Sequence, residues 1–351
     1  MEILKVSLKQ HTPLLHFQPN EPGATLRASE VKPRLDRYII EHEGNGPYDT
    51  VKDRVKETHA SWFIEKDGIH ALDYSLRIII KGIAPEVKLR EKSPKTKPNK
   101  ETKKTEVYYQ LSNFPLVLSN MGGKTDKEKL ANLSYTQQQV DLIFIVSDKK
   151  KDTTNENTDN LLAVIERHIV SFFAQNNFGQ RSGKGFGSFL VSRINNKAVS
   201  VPTPSDCYIK YNYKEGSRED RNFTDFLDLF TVIDVYWKKY IELKSNKDTG
   251  NFRQTGISDR RQKGDTEQRI PSLVIFKPIF KEREVFIYIL LNKKVIERVH
   301  EKFNYNNCDV STHFKEVQNR INALHSQNLF VPCKRQNEDI KVTMSQNSWI
   351  I

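Results

Sequence analysis

The sequence is poor in several things that define common protein classes. Of its 351 residues only three are cysteine: Cys207, Cys308 and Cys333. They stand far apart and outside any zinc-ligand spacing, so neither a disulfide framework nor a zinc site is expected, and a reducing, cytoplasmic setting is. No apolar run nears the roughly 20 residues that span a bilayer, so no membrane partner is expected. The opening Met1-Glu2-Ile3-Leu4 does not read as a signal or transit peptide. No His-Glu-x-x-His and no clustered acidic pair is present to hold a metal, and no cofactor is expected. Apolar residues are only 37% of the chain. That deficit falls in a few polar stretches, and the length still allows two domains with cores of ordinary size.

What the sequence has in excess is positive charge. Lysine and arginine number 56 against 44 acidic residues, a formal net charge of +12. Such a balance predicts an acidic partner, and with little to support a membrane surface the reading falls on nucleic acid.

Periodicity divides the chain into strands, helices and polar inserts. Residues 2–8 alternate as a strand. In LRASEVKPRLDRYII (26–40) a helix is expected to begin near Pro33, with Leu35, Tyr38 and Ile39 as its apolar stripe and Arg34 and Arg37 beside it. A strand is expected at 73–83, then an exposed or disordered lysine-rich insertion at 86–105, and strands again at 107–111 and 139–146. The clearest helix spans about 160–175, with Thr158 or Asp159 as its cap and Gly179 at its exit. The strand FLVSRI follows. The second half repeats this grammar: a strand at 206–213, a helix at about 222–243, a polar basic stretch at 244–270, the strands SLVIFKPIF and VFIYILL, and a helix near 310–326. Strands and helices mixed without regular βα alternation predict an α+β fold. A pair of ferredoxin-like (RRM-like) domains with long polar, basic insertions fits, divided as 1–200 and 201–351.

The most informative segment is Gly179-Gln180-Arg181-Ser182-Gly183-Lys184-Gly185-Phe186-Gly187. Four glycines in so short a span expose backbone N–H groups and admit a bulky polyanion, while Arg181 and Lys184 add charge and Gln180 and Ser182 add neutral donors. Phe186 either stacks on a base or fills the core below. An ordinary glycine-rich turn fits the spacing equally well. A Walker A loop does not: Gly179 to Gly183 is one residue short, Gly185 replaces the Ser/Thr, and the order is helix then strand. Gly123-Lys124-Thr125 matches the end of a Walker A, but Leu118 stands where its first glycine is required, so no ATPase or kinase is expected. His11 and His16 flank Thr12-Pro13 and are placed to act as base and acid in metal-independent RNA cleavage, or simply to close a turn. His168 lies on the apolar face of its helix and reads as a core histidine.

Several of these patches resemble one family. The opening LKQHTPLLHF is similar to the Thr-Pro-Leu start of the RAMP superfamily of CRISPR type III systems. LRASEVKPRLDR resembles that superfamily's first helix, and NFGQRSGKGFGSF its glycine-rich loop, often G-x-R-x-R-x-G-x-G. RIPSLVIFKPI (269–279) resembles a strand-entry motif in the same proteins. Two departures stand out: Pro33 where the helix motif has glycine, and Lys184 where a second arginine is frequent. Within the superfamily the chain is most similar to the large subunit type at the target-entry end of type III-B effectors. The resemblance implies two ferredoxin-like domains, a non-catalytic role, guide or target RNA as ligand and other effector subunits as partners. The residues expected to hold RNA are Arg27, Lys32, Arg34 and Arg37 in the first-helix patch, with Gln180, Arg181, Ser182, Gly183, Lys184 and Gly185 in the loop. A RAMP endoribonuclease using His11 or His16 is the alternative.

Overall fold

The computed structural model describes residues 2–15, 26–64, 68–80, 139–146, 160–204, 208–212, 226, 229–230, 232–233, 274–281 and 284–291, and the backbone of strands at 95–98, 105–108, 133–134, 329–332 and 339–344. In chain order the first domain runs β1 (Glu2–Gln10), β2 (Leu14–Leu15), α1 (Ala28–Glu43), α2 (Tyr48–Thr58), β3 (Ser75–Ile80), β4 (Lys95–Pro98), β5 (Thr105–Tyr108), β6 (Leu133–Ser134), β7 (Val140–Val146), α3 (Leu161–Gln175), β8 (Phe189–Ile194) and β9 (Lys197–Ala198). The second contributes β10 (Tyr208–Asn212), β11 (Val274–Lys281), β12 (Glu284–Leu291), β13 (Leu329–Pro332) and β14 (Asp339–Met344).

The first sheet has the order β3-β7-β1-β8-β9, antiparallel throughout. Helix α1 lies between β1 and β3 in the chain, and α3 between β7 and β8, so the connectivity is that of a ferredoxin-like split β-α-β. Period-two alternation drives β1: Leu4, Val6 and Leu8 are buried against the helices, whereas Ile3 and Lys9 are exposed. In α1 the buried Val31, Leu35, Tyr38 and Ile39 recur at helical spacing.

Helix α1 starts at Ala28, earlier than expected, and Pro33 lies inside it. The proline removes one backbone donor, that facing the carbonyl of Ser29, but Ser29 is exposed and its carbonyl is not left dry. The cap of α3 is Asn160, not Thr158 or Asp159: its Oδ1 accepts from the Leu162 N–H at 3.1 Å. Helix α2 has no counterpart among the expected elements, since only Val51 and Val55 supply its buried side. Part of the 86–105 insertion is ordered, because β4 pairs with β5 as a two-stranded ribbon. Such a ribbon satisfies its backbone internally without needing a core, which a composition argument does not register.

The second sheet has the order β11-β12-β10-β14-β13. Taking β10, β11, β12 and β14 as its first to fourth strands, the order is that of the first sheet. Between β10 and β11 the helical residues Phe226, Leu229, Phe230, Val232 and Ile233 are all buried. The fold is therefore α+β with two RRM-like sheets. The expected helix at 310–326, the basic stretch at 244–270, His16, the three cysteines and the segment around Gly123 lie outside the described residues.

Candidate nucleic-acid interface

After α3 the chain leaves in extended conformation. Asn177 bridges to Ser188, and the Phe178 N–H donates to the Gly187 carbonyl at 2.9 Å, which closes residues 179–186 into a loop. Within it Arg181 is left-handed (φ 54°), and Ser182–Lys184 make a 3₁₀ turn that ends on Gly185 (φ 89°). The closure tolerates no side chain at Gly187, where a Cβ would lie 2.0 Å from the Phe178 carbonyl oxygen.

Two distant patches of the first domain fix the loop from below. The Thr12 hydroxyl donates to the Gly185 carbonyl at 2.7 Å and accepts from the Ser188 N–H at 2.9 Å, while the Gly187 N–H reaches the Pro13 carbonyl at 2.8 Å. From α1, Glu30 accepts the Gly179 N–H at 2.5 Å. Arg34 donates to the Asn177 carbonyl at 2.7 Å and to Asn176 Oδ1 at 2.8 Å, and its guanidinium lies 4.7 Å from the centre of the Phe178 ring. The Thr-Pro-Leu start and the first helix thus converge on the glycine loop.

The second domain holds the loop from the side. Among the described strands β11 is the edge of its sheet and pairs with β12. Backbone groups on its open side are taken up by the first domain. The Phe276 carbonyl accepts from Asn177 Nδ2 at 2.7 Å, the Pro278 carbonyl from Ser188 Oγ at 2.7 Å, and the Phe280 N–H donates to His11 Nδ1 at 3.0 Å. Pro278 breaks no ladder bond because its missing N–H belongs to this outward side. Asn177 Nδ2 also donates to the Ser182 carbonyl at 2.8 Å, so one amide ties the loop to the second domain. Phe186 stacks on Phe230 with ring centres 4.0 Å apart, and Gly185 sits against Pro278 and Ile233.

At the centre of this junction is Lys277, 0% exposed, whose ammonium donates to the carbonyls of Asn176 at 2.7 Å and Phe189 at 2.9 Å. Burial, and then the nearby Arg34 charge, hold its pKa well below the ordinary lysine value. Burial also lowers the pKa of Arg34, against the opposing pull of Glu30.

The structure separates the residues expected to meet RNA into groups. Lys32 pairs with Asp36 at 2.9 Å, donates to the Leu72 carbonyl and lies over Tyr74. Arg34 is engaged in the loop contacts above. Arg37 pairs with Glu41 at 3.1 Å over the face of Tyr48. Arg27 stands at the start of α1, where its carbonyl accepts the first helical N–H groups. Gln180, Arg181, Ser182, Gly183 and Lys184 fall together, half-buried, on one short turn. Gly185 is buried in the junction, and Phe186 fills the core. The Arg181 guanidinium has no hydrogen-bond or ion-pair partner among the described residues, and partial burial lowers its pKa. His11 is 4% exposed and occupied by the Phe280 N–H. His168 is held by Glu43 at 2.5 Å. Among the described residues no group of acidic, histidine or cysteine side chains has metal-binding geometry, and no helix is long and apolar enough to cross a membrane.

Two RRM-like α+β units, with a glycine-rich loop pinned where the second sheet's edge meets the first domain, define the class that the sequence patches resemble: a RAMP protein of type III CRISPR systems. The family model described as the Cmr1 N-terminal domain matches residues 1–245, and the chain belongs to that family. No curated protein matches it. Among solved structures it is similar to type III-B Cmr-beta bound to cognate target RNA, with 11% identity over 86% of this chain and 99% of the other and a TM-score of 0.43. It is similar also to Cmr-beta bound to cognate target RNA and AMPPnP in the presence of single-stranded DNA (11% identity, 87% and 99% covered, TM-score 0.42). Apo Cmr1 from Pyrococcus furiosus is a third (10% identity, 82% and 87% covered, TM-score 0.41). Overlaps this slight say nothing of function.

Proposed function

We propose that the chain is a non-catalytic RNA-binding subunit of a CRISPR type III-B ribonucleoprotein effector in antiviral defence, with domains 1–200 and 201–351 acting as one body. The observation that carries the reading is Arg181: a half-buried guanidinium without a protein partner among the described residues, on a left-handed residue of a loop anchored by both domains. A cation held this way is pre-organised for a phosphate, which spares the ordering cost a flexible side chain meets on binding. Gln180, Ser182, Gly183 and Lys184 complete the contact, and Arg27 and Arg37 extend the basic path along α1. Lys32 and Arg34 support that path through the protein contacts they make. The ligand is recognised through its backbone, so guide and target RNA are both suited.

Of the two histidines that the ribonuclease alternative offers, His11 has its Nδ1 occupied inside the domain junction, which weighs against that reading. The test is binding of a labelled single-stranded RNA by the intact chain and by Arg181→Glu. Loss of a charged hydrogen-bonding partner is worth about 1.5–3 kcal/mol, a roughly 10- to 150-fold weaker complex. Unchanged affinity contradicts the assignment of the loop.

A further inference from the structure

Helices α1 and α3 pack on one face of the first sheet only. Leu4, Val6, Leu142 and Phe144 point into the core beneath them, so the alternate residues of β1, β3 and β7 form the opposite face. Strand register places Ile3 beside Ile145, Ile143 between Lys5 and Arg77, Asp141 between Ser7 and Ile79, and Arg193 beyond Ser7. Ile3 is 58% exposed and Ile79 48%, the two most exposed large apolar side chains among the described residues. Apolar side chains that neighbour one another on an open sheet, rimmed by polar groups, mark an interaction surface more often than a bare one.

The chemistry of the face selects its partner. A sheet that reads single-stranded RNA offers aromatic rings for bases to stack on. The register positions here hold isoleucine, serine and charge, with no aromatic among them. At their centre Ser7 and Asp141 are buried beneath the longer side chains around them, with Asp141 ionically paired with Lys5 at 3.2 Å and hydrogen-bonded by Ser7 at 2.8 Å, so the surface that a partner meets is the isoleucines and the outer charges. Around it Arg77 and Arg193 are exposed and have no ion-pair partner among the described residues. Isoleucines edged by exposed arginines complement a surface that is apolar and acidic, which is a protein, not a polynucleotide.

We propose that this open face of the first sheet docks a neighbouring protein subunit through a segment combining apolar and acidic side chains. The proposal rests on the reading of the chain as an effector subunit. It leaves the glycine loop free for RNA, because the loop lies across the β8 end of the sheet and is anchored by β11, while the isoleucines sit on β1, β3 and β7.

The experiment co-expresses the full-length chain with the other subunits and guide RNA of its own CRISPR gene cluster, with affinity capture through another subunit. Three chains are compared: wild type, Ile3→Asp/Ile79→Asp, and Arg77→Glu/Arg193→Glu. All the altered side chains are exposed, so the thermal midpoint of each isolated chain should stay at the wild-type value. Wild type should be captured stoichiometrically, and each variant at least about tenfold less, the size of change that loss of a central apolar or charged contact brings. Amides of β3 and β7 should gain hydrogen-exchange protection in the captured complex. Equal capture of all three chains overturns the docking face and leaves the effector reading standing. Failure to capture wild type overturns the effector reading and takes the face with it. Protection of the same amides by single-stranded RNA added to the isolated chain, with no subunit present, assigns the face to RNA and also overturns the proposal.

Discussion

Replacement of Lys277 by methionine, which keeps the stem and deletes the ammonium, tests the domain junction where it is most unusual. The deleted group leaves the Asn176 and Phe189 carbonyls without their donor, at about 1–3 kcal/mol each. Against this, the variant no longer buries an ion, whose effective penalty is several kcal/mol when the lysine is protonated. The balance therefore turns on pH. In the folded state the lysine pKa lies well below its ordinary value. Between the folded and unfolded pKa values the unfolded chain holds the extra proton, so wild-type stability rises with pH through that window, by up to about 1.4 kcal/mol per pH unit. Below the folded pKa both states are protonated, and the cost of the buried charge is present in full. Groups common to both chains cancel in the difference. Urea unfolding of wild type and Lys277→Met from about pH 6 to about pH 10 should show wild type gaining on the variant as pH rises, with no further change once the unfolded lysine has titrated near 10.4. A difference that stays flat across the range, or one that favours the variant increasingly as pH rises, refutes a buried lysine with a depressed pKa.

Gly185→Ala places a Cβ 2.9 Å from Pro278 Cγ and 3.0 Å from Ile233 Cδ1 at a φ of 89°, so it should cost about 1–3 kcal/mol of stability. An unchanged thermal midpoint would mean that the loop does not pack on the second domain. His11→Ala removes the imidazole that accepts the buried Phe280 N–H and should destabilise by about 1–3 kcal/mol, while repeat RNA incubated in EDTA stays uncut by wild type and variant alike. Specific cleavage by wild type that disappears in the variant would make His11 catalytic.

Legibility in the sequence follows the range of the interaction. Strands β1 and β8 and helices α1 and α3 each rest on a local period, and all four are readable from it. Helix α2 buries two valines and leaves too faint a stripe. The loop's resemblance marks the right segment but not its division of labour. Gly185 and Phe186 look like the residues beside them until Pro278 of β11, some ninety positions later, covers the glycine and Phe230 stacks on the phenylalanine. Lys277 within IFKPIF reads as an ordinary solvent-facing strand residue, and nothing local says that an edge strand carries it into another domain. One signal is present: Pro278 inside a strongly apolar strand demands an outward, unladdered position, and so an edge that something else can cover.

The central claim is that RNA lies on the glycine loop through its phosphates. Fluorescence anisotropy of a labelled single-stranded RNA, titrated with wild type and with Arg181→Glu/Lys184→Glu across a salt series, tests it most directly. If about five phosphates are neutralised, log affinity should fall against log salt with a slope near −3.5, at ~0.7 per phosphate on a single strand. Losing two of these contacts should bring the slope to about −2 and weaken binding at every salt concentration, with the thermal midpoint nearly unchanged because half-exposed loop charges contribute little to folding. A wild-type affinity indifferent to salt, or a double reversal that binds with wild-type affinity and slope, contradicts the account.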